Sequence, residues 1–216
     1  MLNQSTEDYL KAIYKLSEGG ESVATSVLAK FLKLGDGSVT DMVKKLSGKN
    51  LVRYRPYRGV DLTGAGRKLA LMMMRRHRLW EMYLVRFLSY GWDEVHEEAE
   101  KLEHVTTEKM ERRIDQALGS PKIDPHGDPI PSAGGTMPEI STRTLDECSV
   151  GEQCTIIRVS DESPEILQYL KKTGLHLNRR IRIRGRIQYD GSVIVGFGSK
   201  EIPLSAIIAR NIYVAE

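Results

Sequence analysis

Five of the eight prolines in this 216-residue chain, Pro121, Pro125, Pro129, Pro131 and Pro138, fall between Gly119 and Ser141, together with Gly127, Gly134 and Gly135. Proline fixes φ and removes a backbone donor, so neither a helix interior nor a central strand runs through such a stretch. The segment reads as a linker over 121–141 and divides the chain into two parts. The parts differ in pattern: no proline interrupts Gly64 to Leu118, which is rich in Leu, Met and Arg, whereas the sequence beyond Ser141 alternates in short β-type runs.

Tyr9, Leu10, Ile13, Tyr14 and Leu16 follow the helical period behind Ser5, which predicts a first helix over Thr6 to Glu18 with Ser5 as N-cap. SVLAKFLKL predicts a second helix, LGDG a tight turn, and VTDMVKKLSGKN a third helix with Val39, Met42, Val43 and Leu46 on one face. LVRYRPYRGVDLT then reads as two strands around PYRG, with Thr63 placed to cap the next helix. Helix, turn, helix and a two-stranded wing make a winged helix-turn-helix over 1–63. One long helix from Gly64 to Leu88, and two shorter ones over Asp93 to Glu103 and Thr107 to Leu118, form a helical domain over 64–120. QCTIIRVS, RIRIRGRIQY, GSVIVGF and NIYVA are strand-like around one helix in PEILQYLKKTGL, which predicts an SH3-like β-barrel over 142–216. The fold class is mainly α with small β.

The charges are segregated. Between Thr25 and Arg58 eight lysines and arginines face only Asp36 and Asp41, a net of +6, while between Trp92 and His104 six acids face Lys101, a net of −5. The first segment suits phosphates and the second suits cations. On the third helix Ser38, Thr40 and Asp41, near its start, are followed by Lys44 and Lys45; Ser26 and Gly37 belong to the same surface. A recognition helix has this order, short polar groups at base edges and lysines at phosphates. Arg53, Arg55 and Arg58, interleaved with Tyr54 and Tyr57, give the wing a phosphate-binding or minor-groove role. The partner expected is a double-stranded DNA operator.

His96, Glu100, Glu103 and His104 in VHEEAEKLEH are spaced i, i+4, i+7 and i+8, which places them within about a third of a helix circumference. His77 and Glu81 repeat the i, i+4 pairing on the long helix, and Asp8 joins if the first helix packs nearby. Taken singly, these histidines read equally well as surface or core residues. Together, imidazoles and carboxylates form a donor set for Mn²⁺, Fe²⁺, Co²⁺ or Zn²⁺.

Other classes fit poorly. No run reaches the ~18 apolar residues of a membrane span, and MLNQSTEDYLKAIY lacks a signal-peptide pattern, so the chain reads as cytoplasmic with no membrane partner. Cys148 and Cys154 match neither a thioredoxin-like nor a zinc-ribbon spacing and read as reduced core residues. His96-Glu97 begins like HExxH, but position 100 is Glu100 where a zincin needs histidine, and no nucleophile accompanies the cluster, which argues against a metal-dependent hydrolase. A peptide adaptor is disfavoured too, because Tyr189, Phe197 and Tyr213 make no evident aromatic groove.

EDYLKAIYKL, DLTGAGRKLA, RRHRLWEMYL, VHEEAEKLEHVTTEKMERRI and DPHGDPIP closely resemble the diphtheria toxin repressor family of metalloregulators, over nearly the whole chain. The resemblance implies a homodimeric, metal-dependent repressor, not an enzyme, with an SH3-like last domain similar to FeoA and operators at metal-uptake genes. It implies a primary site of Asp8, Glu100, Glu103 and His104 and an ancillary site of His77, Glu81 and His96. Iron-responsive members typically carry Met and Cys where this chain has Asp8 and Glu100; hard oxygen in place of soft sulfur points to Mn²⁺, with Fe²⁺ as the alternative. Short manganese regulators carry Glu where this chain has Lys11, which argues against their paired two-metal site. Long members draw ancillary ligands from the proline-rich region, which makes Asp124 and His126 candidates, while the sequence does not place a ligand from the SH3-like domain, whether in SDESPE or elsewhere.

Overall fold

The structure is a computed structural model, and it describes residues 3–17, 22–139, 142–161 and 163–216. The chain divides into two compact units: Met1–His77 with Lys101–Glu111 and Ile130–Pro138, and Arg78–Glu100 with Arg112–Pro129 and Glu139–Glu216.

The first unit opens with α1 (Gln4–Leu16), α2 (Thr25–Leu32) and α3 (Asp36–Gly48), then β1 (Val52–Arg55) and β2 (Gly59–Leu62). The cap of α1 is Asn3, whose side chain accepts from Thr6 N at 3.1 Å; Ser5 already lies inside the helix, which therefore starts two residues earlier than its apolar pattern predicts. The turn before α3 is also shorter than LGDG suggests. Lys33, at φ +55, ends α2 in the left-handed region, so the reversal is complete at Gly35, and Asp36 and Gly37 are helical. Leu10, Ile13, Leu28, Val39, Val43, Leu46 and Val60, all fully buried, make the core, and each such aliphatic stabilises the fold by about 1.5–3 kcal/mol. The wing is an antiparallel pair in the register Val52↔Leu62, extended by a bridge between Val23 and Val60. Gly59 has φ +102, and a Cβ there would sit 2.7 Å from Val23 O, so glycine is required for the bridge to close. Thr63 caps α4 (Gly64–Leu88) as expected, its hydroxyl accepting from Gly66 N at 3.1 Å.

Two shorter helices follow, α5 (Val95–Glu103) and α6 (Glu108–Leu118). The proline-rich segment after α6 has no helix or strand among its described residues, yet 124 and 126–131 are buried. Arginines of α4 hold it: Arg75 donates to Pro131 O at 2.8 Å within the first unit, and Arg78 donates to Pro129 O at 2.5 Å within the second.

In the second unit the order is β3 (Gln153–Val159), α7 (Pro164–Thr173), β4 (Arg180–Ile187), β5 (Ser192–Phe197), β6 (Lys200–Leu204), α8 (Ala206–Arg210) and β7 (Ile212–Ala215). The strands form one antiparallel sheet in the order β6-β5-β4-β3-β7. The expected β-barrel is thus corrected to an open SH3-like sheet. After β6 the chain turns through α8 and lays β7 against β3 at the opposite edge, so no ladder joins β6 to β7 among the described residues. Cys148 and Cys154 are free and buried in this core, as expected. Among the described residues no helix is long and apolar enough to cross a membrane.

Candidate metal centre and nucleic-acid interface

In the first unit, α1 presents Glu7, Asp8 and Lys11 to the end of α5. His104 Nδ1 lies 2.7 Å from Glu7 Oε2, and a carboxylate only accepts, so Nδ1 carries the proton in the neutral ring. The Nε2 lone pair is then directed at Asp8 Oδ1, 3.0 Å away, and Glu103 Oε1, 3.7 Å away. Buried Nε2 has no hydrogen-bond partner among the described residues. Metal–ligand bonds of roughly 2.1 Å place adjacent donors about 3 Å apart and opposite donors about 4.2 Å apart, so these three atoms fit around one divalent ion. Glu7 is then the carboxylate that orients the ligating imidazole, a partner that metal-bound histidines ordinarily have. It escaped sequence reading, where its only signal is its place beside Asp8.

Glu103 is fully buried and held from two sides, by Lys11 Nζ at 2.6 Å on Oε1 and His77 Nδ1 at 2.5 Å on Oε2. His77 thereby commits Nδ1 to Glu103. Glu100 stands in the last turn of α5, four positions before His104, which directly follows the helix.

The second unit gathers a different cluster. Glu81 on α4, Asp124 and His126 in the proline-rich segment, His96 on α5 and Asp161 after β3 converge. His96 Nδ1 lies 3.3 Å from Asp161 Oδ2 and 3.6 Å from Glu81 Oε1; His126 Nδ1 lies 3.9 Å from Glu81 Oε1 and 4.0 Å from Asp124 Oδ1. His126 Nε2 sits 2.7 Å from Trp92 O, and a carbonyl only accepts, so Nε2 carries the proton. The buried Nδ1 lone pair faces the carboxylates and has no hydrogen-bond partner among the described residues. Within this unit the donors fall into two sets that share Glu81, one with His96 and Asp161 and the other with Asp124 and His126, each close enough to hold a metal ion. Asp124 starts the turn as well, its Oδ1 accepting from His126 N at 2.8 Å and Asp128 N at 2.9 Å. Gly127 permits this packing: at φ +90 it lies where a Cβ would come 2.1 Å from Ile157 O.

The electrostatics call for a cation. Burial, then the charges of Glu81 and Asp128, push the Asp124 carboxyl well above the usual carboxylate range, against the pull of Arg78. Hydrogen bonding to Asp161 and then Glu81 raises His96 to about 10. A proton thus occupies a cluster whose donors would otherwise repel. Asp161 lies in the SDESPE stretch, 65 positions after His96, and no local pattern distinguishes it from the other acid groups there. His77 stands one turn before Glu81 on α4 and points along the same face.

The DNA-binding candidates all lie in the first unit. Ser26, Gly37, Ser38, Asp41, Lys44 and Lys45 are exposed, Thr40 is half-buried, and Lys44 is only loosely paired with Asp41 at 3.8 Å. Arg53, Arg55 and Arg58 are exposed on the wing. Arg55 is partly committed: it meets Asp61 at 2.8 Å and Ser22 Oγ at 3.1 Å. The Ser22 hydrogen bond foremost, together with Arg55, holds the Asp61 carboxyl below its ordinary range. Arg55 therefore fixes the wing, while Arg53 and Arg58 extend from it.

Residues 1–60 match the family described as iron dependent repressor, N-terminal DNA binding domain; residues 63–132 match its metal binding and dimerisation domain; residues 143–216 match the FeoA domain. The chain is 33% identical over 195 residues to the iron-dependent repressor IdeR of Mycobacterium leprae, covering 84% of each chain. Among solved structures, a manganese-dependent transcriptional repressor in complex with manganese superposes with a TM-score of 0.91 at 39% identity, covering 97% of this chain and 99% of the other. The manganese regulator SloR superposes with a TM-score of 0.81 at 33% identity and 98% coverage of both.

Proposed function

Because the chain belongs to the iron-dependent repressor family of metal-dependent transcriptional repressors, we propose that it is a Mn²⁺-responsive homodimer that represses metal-uptake genes from palindromic operators. The division of labour proposed is DNA reading by 1–63, metal binding and dimerisation by 64–120, and an SH3-like domain over 142–216 joined through 121–141. The observation that carries the reading is the His104 lone pair directed at Asp8, because Asp8 belongs to the first helix of the DNA-binding part.

Asp8, Glu100, Glu103 and His104 would hold one ion, and His77, Glu81 and His96 an ancillary one, with Asp161, Asp124 and His126 as the further candidates around Glu81. A bound divalent ion supplies positive charge to carboxylates that otherwise repel one another. The chain's own residues do the rest. Glu7 sets the His104 tautomer, Lys11 and His77 hold Glu103, and Asp8 ties α1 to the end of α5. Fixing α1 sets the orientation of the two α3 helices in a dimer, so that they meet successive major grooves one helical turn apart. Ser26, Gly37, Ser38, Thr40 and Asp41 would face bases, and Lys44, Lys45, Arg53, Arg55 and Arg58 the phosphates.

The oxygen and imidazole donor set, without thiolate, supports Mn²⁺; Fe²⁺ is the second reading, since the named IdeR relative is iron-dependent and the same donors accept it. Other divalent transition metals are expected to activate in vitro. The test is a titration of the protein onto an operator duplex without metal and at matched free Mn²⁺ and Fe²⁺. Equal affinity with and without metal refutes the mechanism; stronger activation by Fe²⁺ replaces manganese with iron.

A further inference from the structure

The wing ends in a feature that folding does not require. Arg58 N donates to Arg55 O at 3.0 Å, closing a four-residue turn with Pro56 in its second position and Tyr57 in its third. Tyr57 has φ +64. A turn with proline second and a left-handed residue third ordinarily takes glycine or asparagine there, because a β-carbon crowds the backbone in that region. The other described non-glycine residues at positive φ are Lys33, Asn50, Ser89, Ser120 and Asn178, so the wing tip alone places an aromatic side chain in this conformation. Nor does the ring repay the crowding by packing: its exposure is 107% of the reference value, whereas Tyr54, two strand positions inward from Pro56, is packed against the core.

The surroundings indicate what the ring meets. Arg53, Arg55 and Arg58 are exposed near it in sequence, Arg55 with its charge paired to Asp61, so Arg53 and Arg58 leave the wing cationic beside an aromatic tip. A polyanion with apolar surface between its charges complements this arrangement, and the minor groove of duplex DNA is such a surface: phosphates at its rims, deoxyribose faces along its walls. A hydrophobic partner protein would meet the exposed Arg53 and Arg58 beside a single ring, a poorer match.

We propose that Tyr57 is a DNA-contact residue, its ring closing against the sugar wall of the minor groove beside each operator half-site. The turn already carries Tyr57 at its outermost point, so the backbone need not rearrange on binding, and the cost is the rotamer freedom of one ring with two χ angles. The contact adds affinity with little dependence on base identity, since every nucleotide presents a sugar. It rests on the placement of the DNA-binding surface on α3 and the wing.

The experiment uses full-length protein at saturating Mn²⁺ and a fluorescent duplex selected from a random pool by the metal-loaded wild type. Tyr57→Asn keeps the turn and removes the ring. Its affinity is expected to fall about tenfold, with a melting temperature unchanged or raised by about 1–2 °C. The salt dependence of binding should keep its slope, because no charge is removed. Tyr57→Phe is expected to bind within about twofold of wild type. Wild-type affinity in Tyr57→Asn overturns the proposal. So does a clear drop in its melting temperature, which would make the ring part of the fold, and so does an equal loss in Tyr57→Phe, which would transfer the contact to the hydroxyl. The double variant Lys44→Ala/Lys45→Ala separates the two levels: loss of binding there with none in Tyr57→Asn overturns the Tyr57 contact alone, and full binding in both overturns the interface and the contact together.

Discussion

Lys11 offers the sharpest test of how the first metal cluster is held when no metal is bound. Its ammonium lies 2.6 Å from Glu103 Oε1, with 11% of the lysine side chain and none of the glutamate exposed. A pair this dry is not screened as a surface ion pair is, and removing one member leaves an uncompensated buried charge, at a typical cost of 3–5 kcal/mol. His77 on the other carboxylate oxygen offsets part of that loss. We therefore expect Lys11→Met, which keeps the aliphatic stem, to destabilise the metal-free protein by about 3 kcal/mol, or roughly 6–12 °C in melting temperature for a chain of this size.

Metal should reverse much of this. A divalent ion at Glu103 supplies the charge that Lys11 supplied, so the deficit is expected to shrink to about half when Mn²⁺ saturates the site. By linkage, a deficit about 1.4 kcal/mol smaller with metal than without means Mn²⁺ binding about tenfold tighter in the variant. Thermal unfolding with and without Mn²⁺, together with direct metal titration of both proteins, measures the two sides of the cycle independently. A metal-free variant as stable as wild type would show that Lys11 does not hold Glu103. Weaker Mn²⁺ binding in the variant would show that the lysine assists the metal, and the charge-replacement reasoning would fail.

Trp92 should report on the second cluster, because its carbonyl accepts from His126 and its ring stacks on the same imidazole at 6.2 Å; in a Trp80→Phe background, Mn²⁺ is expected to change the remaining fluorescence, and His126→Ala should abolish the change. His96, raised to about 10, holds a proton at pH 7.5 that a metal must displace, so the calorimetric binding enthalpy should vary with buffer ionisation enthalpy by about one proton, and a zero slope would contradict this. The same shift has a stability consequence in the metal-free protein: the charged ring's contribution is complete below about pH 6.5, its ordinary pKa, and fades as pH rises through about 10, while metal binding strengthens over that rise. Burial pushes Cys154 up to about 12 and raises Cys148 in the same direction, so a thiol reagent at pH 8 should label neither until denaturant unfolds the sheet; rapid labelling of the native protein would show that this core opens.

Local pattern carries far in this chain where function rests on a single element. The outward row Ser38, Asp41, Lys44 and Lys45 is legible because one helix period generates it, and Thr63 is legible as a cap because capping involves neighbours three residues apart. It carries less far where geometry joins distant segments. Ser5 reads as a better cap than Asn3 until the backbone shows which side chain meets Thr6 N. The proline-rich stretch announces the absence of regular structure but not its burial, since the arginines that hold it, Arg75 and Arg78, lie on a helix about fifty residues earlier. Sheet closure depends on which edge β7 joins, and no residue in NIYVA specifies β3 over β6. The two clusters show both cases. Glu100, Glu103 and His104 share one helical face and can be found by spacing, and Asp8 joins them only through the packing of α1, whereas Asp161 has no periodic relation to Glu81 or His96. Their electrostatics differ for the same reason. The periodic cluster has its counter-cation close by in sequence, because one helical turn after Asp8 a lysine can reach the same carboxylate that α5 delivers. The cluster assembled across α4, α5, the proline-rich segment and β3 brings Glu81, Asp124 and Asp161 together with Arg78 beside Asp124, and a proton makes up the missing positive charge. On the proposed reading, a metal ion entering the first cluster would meet a carboxylate already tied to a lysine, and one entering the second would have to displace a proton.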